Sequence, residues 1–412
     1  MMEKEELYQQ RASRVHKAIA LEEPDCVPVA PKANMYYMHY GGVSMYEAMK
    51  DIRNAKAGVK KFLKDFEPDL VWSPLVYPMD PLNMLEATYI NMPGPDHGLD
   101  LDTTFQILDD CYLEEDEFDD FIFDPTNFII TKVLPRKNKA LNAFEKLCFN
   151  NPAEFSFLGD ISVFGQPDVR EAMRKLVMAG ELAKKWLDGM QDIRNFVVDS
   201  GFPLGPAIAQ TCPFDMFSDN IRGMINSVCD VVERPDKIKG AVDVMTEICT
   251  RRTVQFTQAQ NSEYVFIPLH AGVDEFMSRE SYEKFYWPGL QKMIVDLIEE
   301  GMTPYVFCEG RYNTRLEILR DVPKGKVVYA FEQVDIKKAK RILGDVACIC
   351  GNLPTSLLAF GTPEQVEDEC KRILDICAPG GGFIMDTSLI IDNAKAENME
   401  ALFRTTRECG KY

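Results

Sequence analysis

The stretch from Tyr264 to Phe307 decides the fold, because it holds two short apolar runs separated by a helical pattern. The first run is Tyr264-Val265-Phe266-Ile267, the helical pattern covers Ser281 to Gly301, and the second run is Pro304-Tyr305-Val306-Phe307. Apolar runs without polar alternation are typical of strands buried on both faces. Two such runs joined by a helix predict a β-α-β unit with parallel strands.

The same alternation extends in both directions from this unit. Helical patterns cover Val169 to Asp199 and Asp230 to Asn261, and the remaining apolar runs lie at 26–30, 69–76, 206–209, 326–331, 346–350 and 382–385. Eight strand candidates predict a (β/α)8 barrel, with an open doubly wound sheet as the alternative. The open sheet is disfavoured because neither GxGxxG nor GxxxxGK[ST] follows any strand candidate.

We expect one domain over residues 1–412, a distorted barrel with a less regular insertion at 80–165. The net charge of −19 disfavours binding to nucleic acid or to an anionic membrane surface. The apolar runs are too short to span a membrane, and residues 1–7 do not resemble a secretory signal. The 12 cysteines form no CxxC pair, as expected for reduced thiols in a cytoplasmic protein.

Polar residues suited to acid-base or metal chemistry follow five consecutive strand candidates. In a (β/α)8 barrel, catalytic residues project from the C-terminal ends of the strands. A single carboxylate there is more often a helix cap or an ion-pair partner, but several at one rim favour a functional cluster. The residues in question are His270, Glu309, Glu332 and Asp386, with up to two cysteines, Cys308 and Cys350.

Four motifs carry a family resemblance. They are a "D-x-V-P" strand at 25–28 after the arginine-bearing helix of Arg14, an "S-x-x-x-Y-x-x-F-x-x-P" segment at 278–288, Gly351-Asn352-Leu353-Pro354 followed by 361–366 (GTPEQV), and 381–384 (GGFI) with Glu397-Asn398. This set resembles the uroporphyrinogen decarboxylase superfamily, and the resemblance implies a distorted (β/α)8 barrel.

That superfamily contains two chemistries. Its haem-synthesis decarboxylases carry a basic Arg-Gln-Ala-Gly-Arg element after the first strand, whereas residues 30–38 here read APKANMYYM. The resemblance is therefore to the other branch, the cobamide-dependent methyltransferases, and within it to the methyl-donor-specific proteins of O-demethylase systems. The chain has no Asp-x-His-x-x-Gly cobamide-binding element, so the cobamide is expected on a separate corrinoid protein.

A metal site is also implied by the resemblance. Thiol-methylating members carry His-x-Cys-Gly after one strand and a further Cys after the last. Here Phe307-Cys308-Glu309-Gly310 puts Glu309 in the Cys position, and Asp386 stands near the place of the last Cys. The implied ligands are Glu309 and Asp386 with His270 or Glu332, an oxygen- and nitrogen-rich set for zinc. Cys308, offset by one residue, is expected to lie in the core.

The sequence thus leads to one main hypothesis and two alternatives. The main hypothesis is methyl transfer from a small methylated substrate, with an aryl methyl ether as the best guess, to the corrinoid protein. Its catalytic residues are Glu332, His270 and Glu309, and its substrate-binding residues are Met35, Tyr36, Tyr37, Trp72, Met216, Phe217, Asp219, Arg222 and Asn352.

The first alternative is a metal-free decarboxylase of a small organic acid or a porphyrinogen-like substrate, using Arg222, Lys32 and Glu332. The second is an inert barrel that binds a small molecule or serves as an assembly subunit. Whether the chain forms a homodimer is left open.

Overall fold

The two apolar runs of the Tyr264–Phe307 stretch form neighbouring parallel strands in the computed structural model. The structure describes residues 4–96, 98–149, 152–206, 208–260 and 262–412. Among the described residues, β1 (Ile90–Asn91) and β2 (Gln106–Ile107) pair antiparallel. A separate six-stranded parallel sheet has its strands side by side in chain order: β3 (Ile208–Ala209), β4 (Tyr264–Leu269), β5 (Thr303–Arg311), β6 (Val328–Gln333), β7 (Cys348–Cys350) and β8 (Phe383–Ile384). Ala207, inside the predicted strand at 206–209, lies outside the described residues. The predicted parallel α/β sheet is confirmed.

Two further segments connect the edges of this sheet. Val29 forms a parallel bridge with Met385, which follows β8, and Val71 forms one with Leu204, which precedes β3. The N–H of Asp69 donates to the carbonyl of Val29 at 2.9 Å and joins the two segments. The two edges of the sheet are therefore linked through residues 28–30 and 69–71.

These two segments are less regular than the strands predicted at 26–30 and 69–76. Each forms single bridges instead of a continuous ladder. Pro28 and Pro31 border the first bridge, and Pro74 lies in the second segment. Proline has no N–H to donate to a ladder, which explains why regular pairing stops there.

Side chains along the strands alternate between two hydrophobic clusters. The outward set, including Val265, Ile267 and Cys308, packs with the helices in the larger cluster, as expected for Cys308. The inward set fills the centre together with Val15 and Ala18 of the first helix. Its strand members are Ala30, Leu70, Trp72, Tyr264, Phe266, Tyr305, Phe307, Val328, Ala330, Cys348, Cys350 and Ile384. Because side chains alternate along a strand, a residue two positions after an inward one also faces inward, as Glu332 does after Ala330.

The helices of the first half of the chain are mostly short. They are α1 (Lys4–Ile19), α2 (Tyr36–Gly41), α3 (Met45–Lys50), α4 (Lys56–Phe66), α5 (Met79–Met84), α6 (Phe118–Phe123), α7 (Pro125–Phe128), α8 (Leu134–Lys137) and α9 (Glu154–Ser162). The predicted irregular segment at 80–165 thus contains brief helices and the β1–β2 pair in its described part.

Helices of 3 to 33 residues alternate with the strands in the second half. They are α10 (Pro167–Asp199), α11 (Pro213–Phe217), α12 (Met224–Glu233), α13 (Pro235–Ala259), α14 (Arg279–Ser281), α15 (Trp287–Glu299), α16 (Ile336–Leu343), α17 (Thr355–Phe360), α18 (Pro363–Cys377) and α19 (Ala396–Cys409). The helix predicted from Asp230 to Asn261 is divided at Arg234, because Pro235 disfavours a helical residue before it. No helix in the described ranges combines the length and apolar composition of a membrane span.

Candidate active site

His270 follows β4 and is held by an acidic residue from α11. The backbone N–H groups of His270 and Ala271 donate to the two carboxylate oxygens of Asp215 at 2.8 and 3.0 Å. The hydroxyl of Tyr286 donates to the same carboxylate at 2.5 Å. Asp219 lies on the next turn, with its Oδ2 2.6 Å from Nδ1 of His270. The imidazole is therefore fixed through Nδ1, which leaves Nε2 for a substrate.

The surrounding carboxylates keep the imidazole of His270 protonated. Burial alone would lower its pKa, but the hydrogen bond to Asp219 and the charges of Asp215, Asp219 and Glu309 raise the pKa to about 10. At neutral pH the side chain is then an imidazolium, which can donate a proton from Nε2. This is the protonation state that a general acid requires.

Glu309 faces His270 from a bulge in β5. Its Oε2 lies 3.9 Å from Nε2 of His270. Burial raises the pKa of Glu309, the charge of His270 opposes that change, and Glu332 and Asp215 add to it. The β5–β6 register shifts between Cys308 and Arg311, which re-aims the side chains at the strand end.

Gly310 allows this bulge. Its φ of +80° is unfavourable for residues with a side chain, and a Cβ there would lie 2.8 Å from Cγ1 of Val273. Its N–H donates to Glu332 at 2.6 Å, so the two glutamates are positioned together.

Two cavities meet at His270 and Met224. One, of about 530 Å³, is rich in charged groups and is lined by Met224, His270, Val273, Glu275, Phe276, Glu309, Gly310, Arg311, Glu332 and Gln333. The other, of about 470 Å³, is more aromatic and is lined by Tyr77, Tyr89, Ile107, Leu108, Asp109, Lys137, Thr211, Asp219, Asn220, Met224 and His270. His270 is therefore accessible from an acidic side and from an aromatic side.

The three predicted metal ligands do not come together. Asp386 is completely buried and bonds to Lys32, with its Oδ2 2.5 Å from Nζ. Its Oδ1 accepts the backbone N–H groups of Lys32 and Thr387. No group of three or more His, Cys, Asp or Glu side chains in the described ranges is arranged to hold a metal ion. The predicted set of Glu309, Asp386 and His270 is therefore not assembled in this structure: Asp386 is the partner of a lysine, and the arrangement of these side chains does not fit zinc.

Arg222, which was predicted at the substrate, is occupied by other protein groups in this structure. It is buried, its Nε donates to Asp230 at 2.7 Å, and its NH1 donates to the carbonyl of Leu113 at 2.8 Å. The guanidinium thereby joins α12 to residues 111–113. Asp219, predicted beside it, is hydrogen-bonded to His270 and lines the aromatic cavity.

Most of the predicted aromatic contacts belong to the core. Tyr36, Tyr37, Trp72 and Phe217 are each at most 2% exposed. The Tyr37 hydroxyl donates to the carbonyl of Trp72, and Phe217 packs on Phe118 and Phe121. These side chains therefore pack against other core residues, Tyr36 and Tyr37 on Phe62 and Trp72 on Phe266.

The remaining predicted substrate contacts are only partly buried. Met35 and Met216 pack against the larger hydrophobic cluster. The amide nitrogen of Asn352 donates to the carbonyls of Glu332 and Val334, and its Oδ1 has no partner in the described structure. Asn352 therefore supports the backbone around Glu332 and keeps one free acceptor.

Residues 204–409, half of the chain, match the sequence profile described as uroporphyrinogen decarboxylase (URO-D). The chain belongs to the URO-D family. The chain is 29% identical to the uroporphyrinogen decarboxylase of Chlorobium luteolum over 123 residues, 27% of this chain and 34% of that protein. It is 33% identical to the methylcobamide:CoM methyltransferase MtbA of Methanosarcina mazei over 141 residues, 33% of this chain and 38% of that protein. The alignments thus span little more than a third of the length of these relatives.

The fold of this URO-D family member also matches a solved structure along its whole length. A methyltransferase from Methanosarcina mazei superposes with a TM-score of 0.65 over 97% of this chain and 98% of that chain, at 17% sequence identity. At that identity the match shows the shared fold. The family predicted from the sequence motifs is confirmed.

Several site residues of this URO-D protein were not predicted from its sequence. Asp215 and Tyr286 lie on helical segments and show no pattern that separates them from ordinary helix residues. Tyr77, Tyr89 and Lys137 come from irregular segments, where no periodicity indicates which side chains face a cavity. One relation in the sequence could have indicated Asp215. It lies four residues before the candidate Asp219, and this i,i+4 spacing puts both side chains on one side of a helical turn.

Replacing Asp219 with asparagine is expected to lower the pKa of His270 by about 1–3 units, because one hydrogen-bonded opposite charge is removed. The raised pKa keeps His270 charged up to about pH 10, so the variant should become neutral at lower pH. NMR titration of the imidazole signals measures this, and Asp219→Glu should preserve most of the effect. An unchanged midpoint in Asp219→Asn would show that the other carboxylates alone set the pKa.

Proposed function

We propose that this URO-D family member is a methyltransferase that moves a methyl group from a small methylated substrate to the corrinoid of a separate protein. An aryl methyl ether is the best candidate for the methyl donor. The observation that carries the proposal is the imidazolium of His270 at the junction of an acidic and an aromatic cavity. The partial similarity to proteins named methylcobamide:CoM methyltransferase supports the same reaction class.

The chemistry requires help for the leaving group, because a phenolate or alkoxide departs poorly from a methyl group. A corrinoid carried by the partner would supply a nucleophilic cobalt that accepts the methyl group. The proton on Nε2 of His270 passes to the ether oxygen as the carbon–oxygen bond breaks, so that a neutral phenol leaves. Asp219 holds the ring in place and stabilises its charge before transfer.

The two cavities divide the remaining tasks. Tyr77, Tyr89 and Leu108 provide an aromatic and apolar wall for the ring of the substrate. Glu309 and Glu332 line the acidic side, and the charge of Glu309 favours the cationic form of His270.

The openings of the cavities suit a large partner. Phe276 of the acidic cavity is 52% exposed, and Ile107 of the aromatic cavity is 48% exposed. Contiguous exposed apolar patches mark sites where proteins dock, and we infer that these side chains contribute to such a patch at the openings. We further infer that the sheet and its two linking segments form a distorted (β/α)8 barrel, in which this rim is the usual place of the active site.

The decarboxylase alternative is less well supported. It relied on Arg222 and Lys32 as anion-binding cations, but each is bonded to a buried carboxylate, Asp230 and Asp386 respectively. Neither is available to a substrate carboxylate without breaking an internal ion pair.

A direct assay separates the two reactions. The purified protein is incubated with methoxylated aromatic compounds and reduced cobalamin or corrinoid protein. We expect the visible spectrum of a methylated corrinoid together with an equal amount of phenol. Release of carbon dioxide from an aromatic acid without any corrinoid would contradict the proposal and favour the decarboxylase.

A further inference from the structure

Lys137 is a half-buried cation in the wall of the aromatic cavity. It is the last residue of α8, inside the irregular segment. Its Nζ lies 4.6 Å from the ring centre of Tyr89 and 5.2 Å from that of Tyr112. It also lies 3.2 Å from Oδ1 and 3.5 Å from the backbone oxygen of Asn220. These are neutral acceptors and aromatic faces, so no carboxylate contact in the described part of the chain matches its charge.

The charge of Lys137 is consequently poorly compensated. Burial lowers its pKa to about 8, and the charge of Asp219 only partly opposes this. Asp219 is already hydrogen-bonded to His270, and Asp109 accepts the backbone N–H of Met224 at 2.8 Å. An anion brought next to Lys137 would stabilise the ammonium.

The same cavity also contains a polar group that has no hydrogen-bond partner in the described structure. Oγ1 of Thr211 is buried and has no partner in the described structure. Thr211 and Lys137 line the aromatic cavity together with Tyr77 and Tyr89. One ligand with an aromatic ring and a polar anionic group would therefore satisfy both the apolar wall and these two side chains.

The short π-helix at Ser218–Arg222 connects Lys137 to His270, the candidate general acid. Its consecutive residues Asp219 and Asn220 contact His270 and Lys137 respectively. A substrate in the aromatic cavity can thus meet a proton donor at one group and a fixed ammonium at another.

We propose that Lys137 binds the carboxylate of the methyl donor, so that the substrate class is the methoxylated aromatic acids. This inference rests on the proposed methyl transfer and narrows its substrate. Lys137 contributes binding and orientation, while His270 serves the leaving oxygen. Neutral methoxylated aromatics fit the same wall but leave the ammonium without an anionic partner.

The test is a binding measurement without corrinoid, so it does not depend on turnover. Isothermal titration calorimetry compares para-methoxybenzoate with para-methoxybenzamide, which has the same shape but no charge. The full-length chain is used as wild type, Lys137→Met and Lys137→Arg. Lys139→Met is the matched control, because Lys139 is exposed two residues further along and does not line the cavity.

We expect wild type to prefer the benzoate. Lys137→Met should weaken benzoate binding by about tenfold to a hundredfold, the factor for one charge-assisted hydrogen bond, and leave amide binding nearly unchanged. Lys137→Arg should retain most of the benzoate affinity, and Lys139→Met all of it. Thermal melting of each variant verifies that it is folded.

Three results would overturn the inference. They are equal affinity of wild type for benzoate and benzamide, an equal loss of both in Lys137→Met, and no binding of either compound. The corrinoid methylation assay with neutral methoxybenzene remains independent of these results. Methyl transfer from the neutral ether without benzoate preference would disprove the role of Lys137 and leave the proposed function in place.

Discussion

Replacing His270 with glutamine is expected to reduce the rate of methyl transfer from a methoxylated aromatic compound by about a hundredfold to ten-thousandfold. This is the contribution usually made by a positioned general acid. The side chain is held by Asp219 at 2.6 Å and carries a proton at neutral pH, so its loss leaves the departing oxygen unprotonated. The rate is measured from the absorbance of the methylated corrinoid.

The leaving group distinguishes proton donation from a structural effect. Methyl ethers of nitrophenols release stabilised phenolates that need little protonation. The His270→Gln variant should therefore recover much of the wild-type rate on them, whereas a general loss of structure would lower both rates equally.

A matched control is His16→Gln. His16 also pairs with a carboxylate, Glu263 at 2.7 Å, but it is half-exposed beside the start of β4, in a cavity that His270 does not line. Its replacement should leave the rate unchanged. An equal loss in both histidine variants, or equal losses on both classes of ether, would contradict the assignment of His270.

Breaking the Lys32–Asp386 pair is expected to lower the free energy of unfolding by about 3–5 kcal/mol, because each single variant leaves one buried charge without its partner. Both side chains are fully buried, and Lys32 Nζ also donates to the carbonyl of Thr387 at 2.7 Å. Urea denaturation of Lys32→Met and Asp386→Asn measures the loss. The double variant Lys32→Met with Asp386→Leu should recover part of it, since no isolated charge remains.

The exposed pair of Lys184 and Asp188 provides the control. Its side chains are 75% and 58% exposed, so Asp188→Asn should change the stability by less than about 1 kcal/mol. The metal content of the same proteins adds an independent result. Stoichiometric zinc that disappears in Asp386→Asn, with little change in stability, would restore Asp386 as a ligand and contradict the ion-pair assignment.

The sequence predicted the framework better than the details of the site. The apolar runs at 264–267 and 304–307 indicated parallel strands, because strands buried on both faces cannot tolerate alternating polar residues. The same reasoning fails at 26–30 and 69–76, where prolines limit regular pairing. Cys308 was assigned to the core from its register alone, and it is completely buried.

The partners of the polar residues depended on long-range contacts. From their positions after strands, Glu309 and Asp386 are equivalent, yet Glu309 faces a cavity and Asp386 bonds to Lys32, which is distant in the chain. Arg222 and Asp219 are close in sequence, but one bonds to Asp230 and the other to His270.

By itself, then, the sequence determined the parallel α/β architecture, the family and the strand ends at which His270, Glu309 and Glu332 are found. The architecture and the strand ends follow from local periodicity and from the direction of parallel strands, whereas the family follows from the sequence motifs. Only the tertiary structure decided which carboxylate keeps His270 charged, which one is neutralised by Lys32, and that Lys137 lines the aromatic cavity. The physical reason is that charge pairing and burial depend on distances between segments far apart in the chain, and these distances exist only after folding.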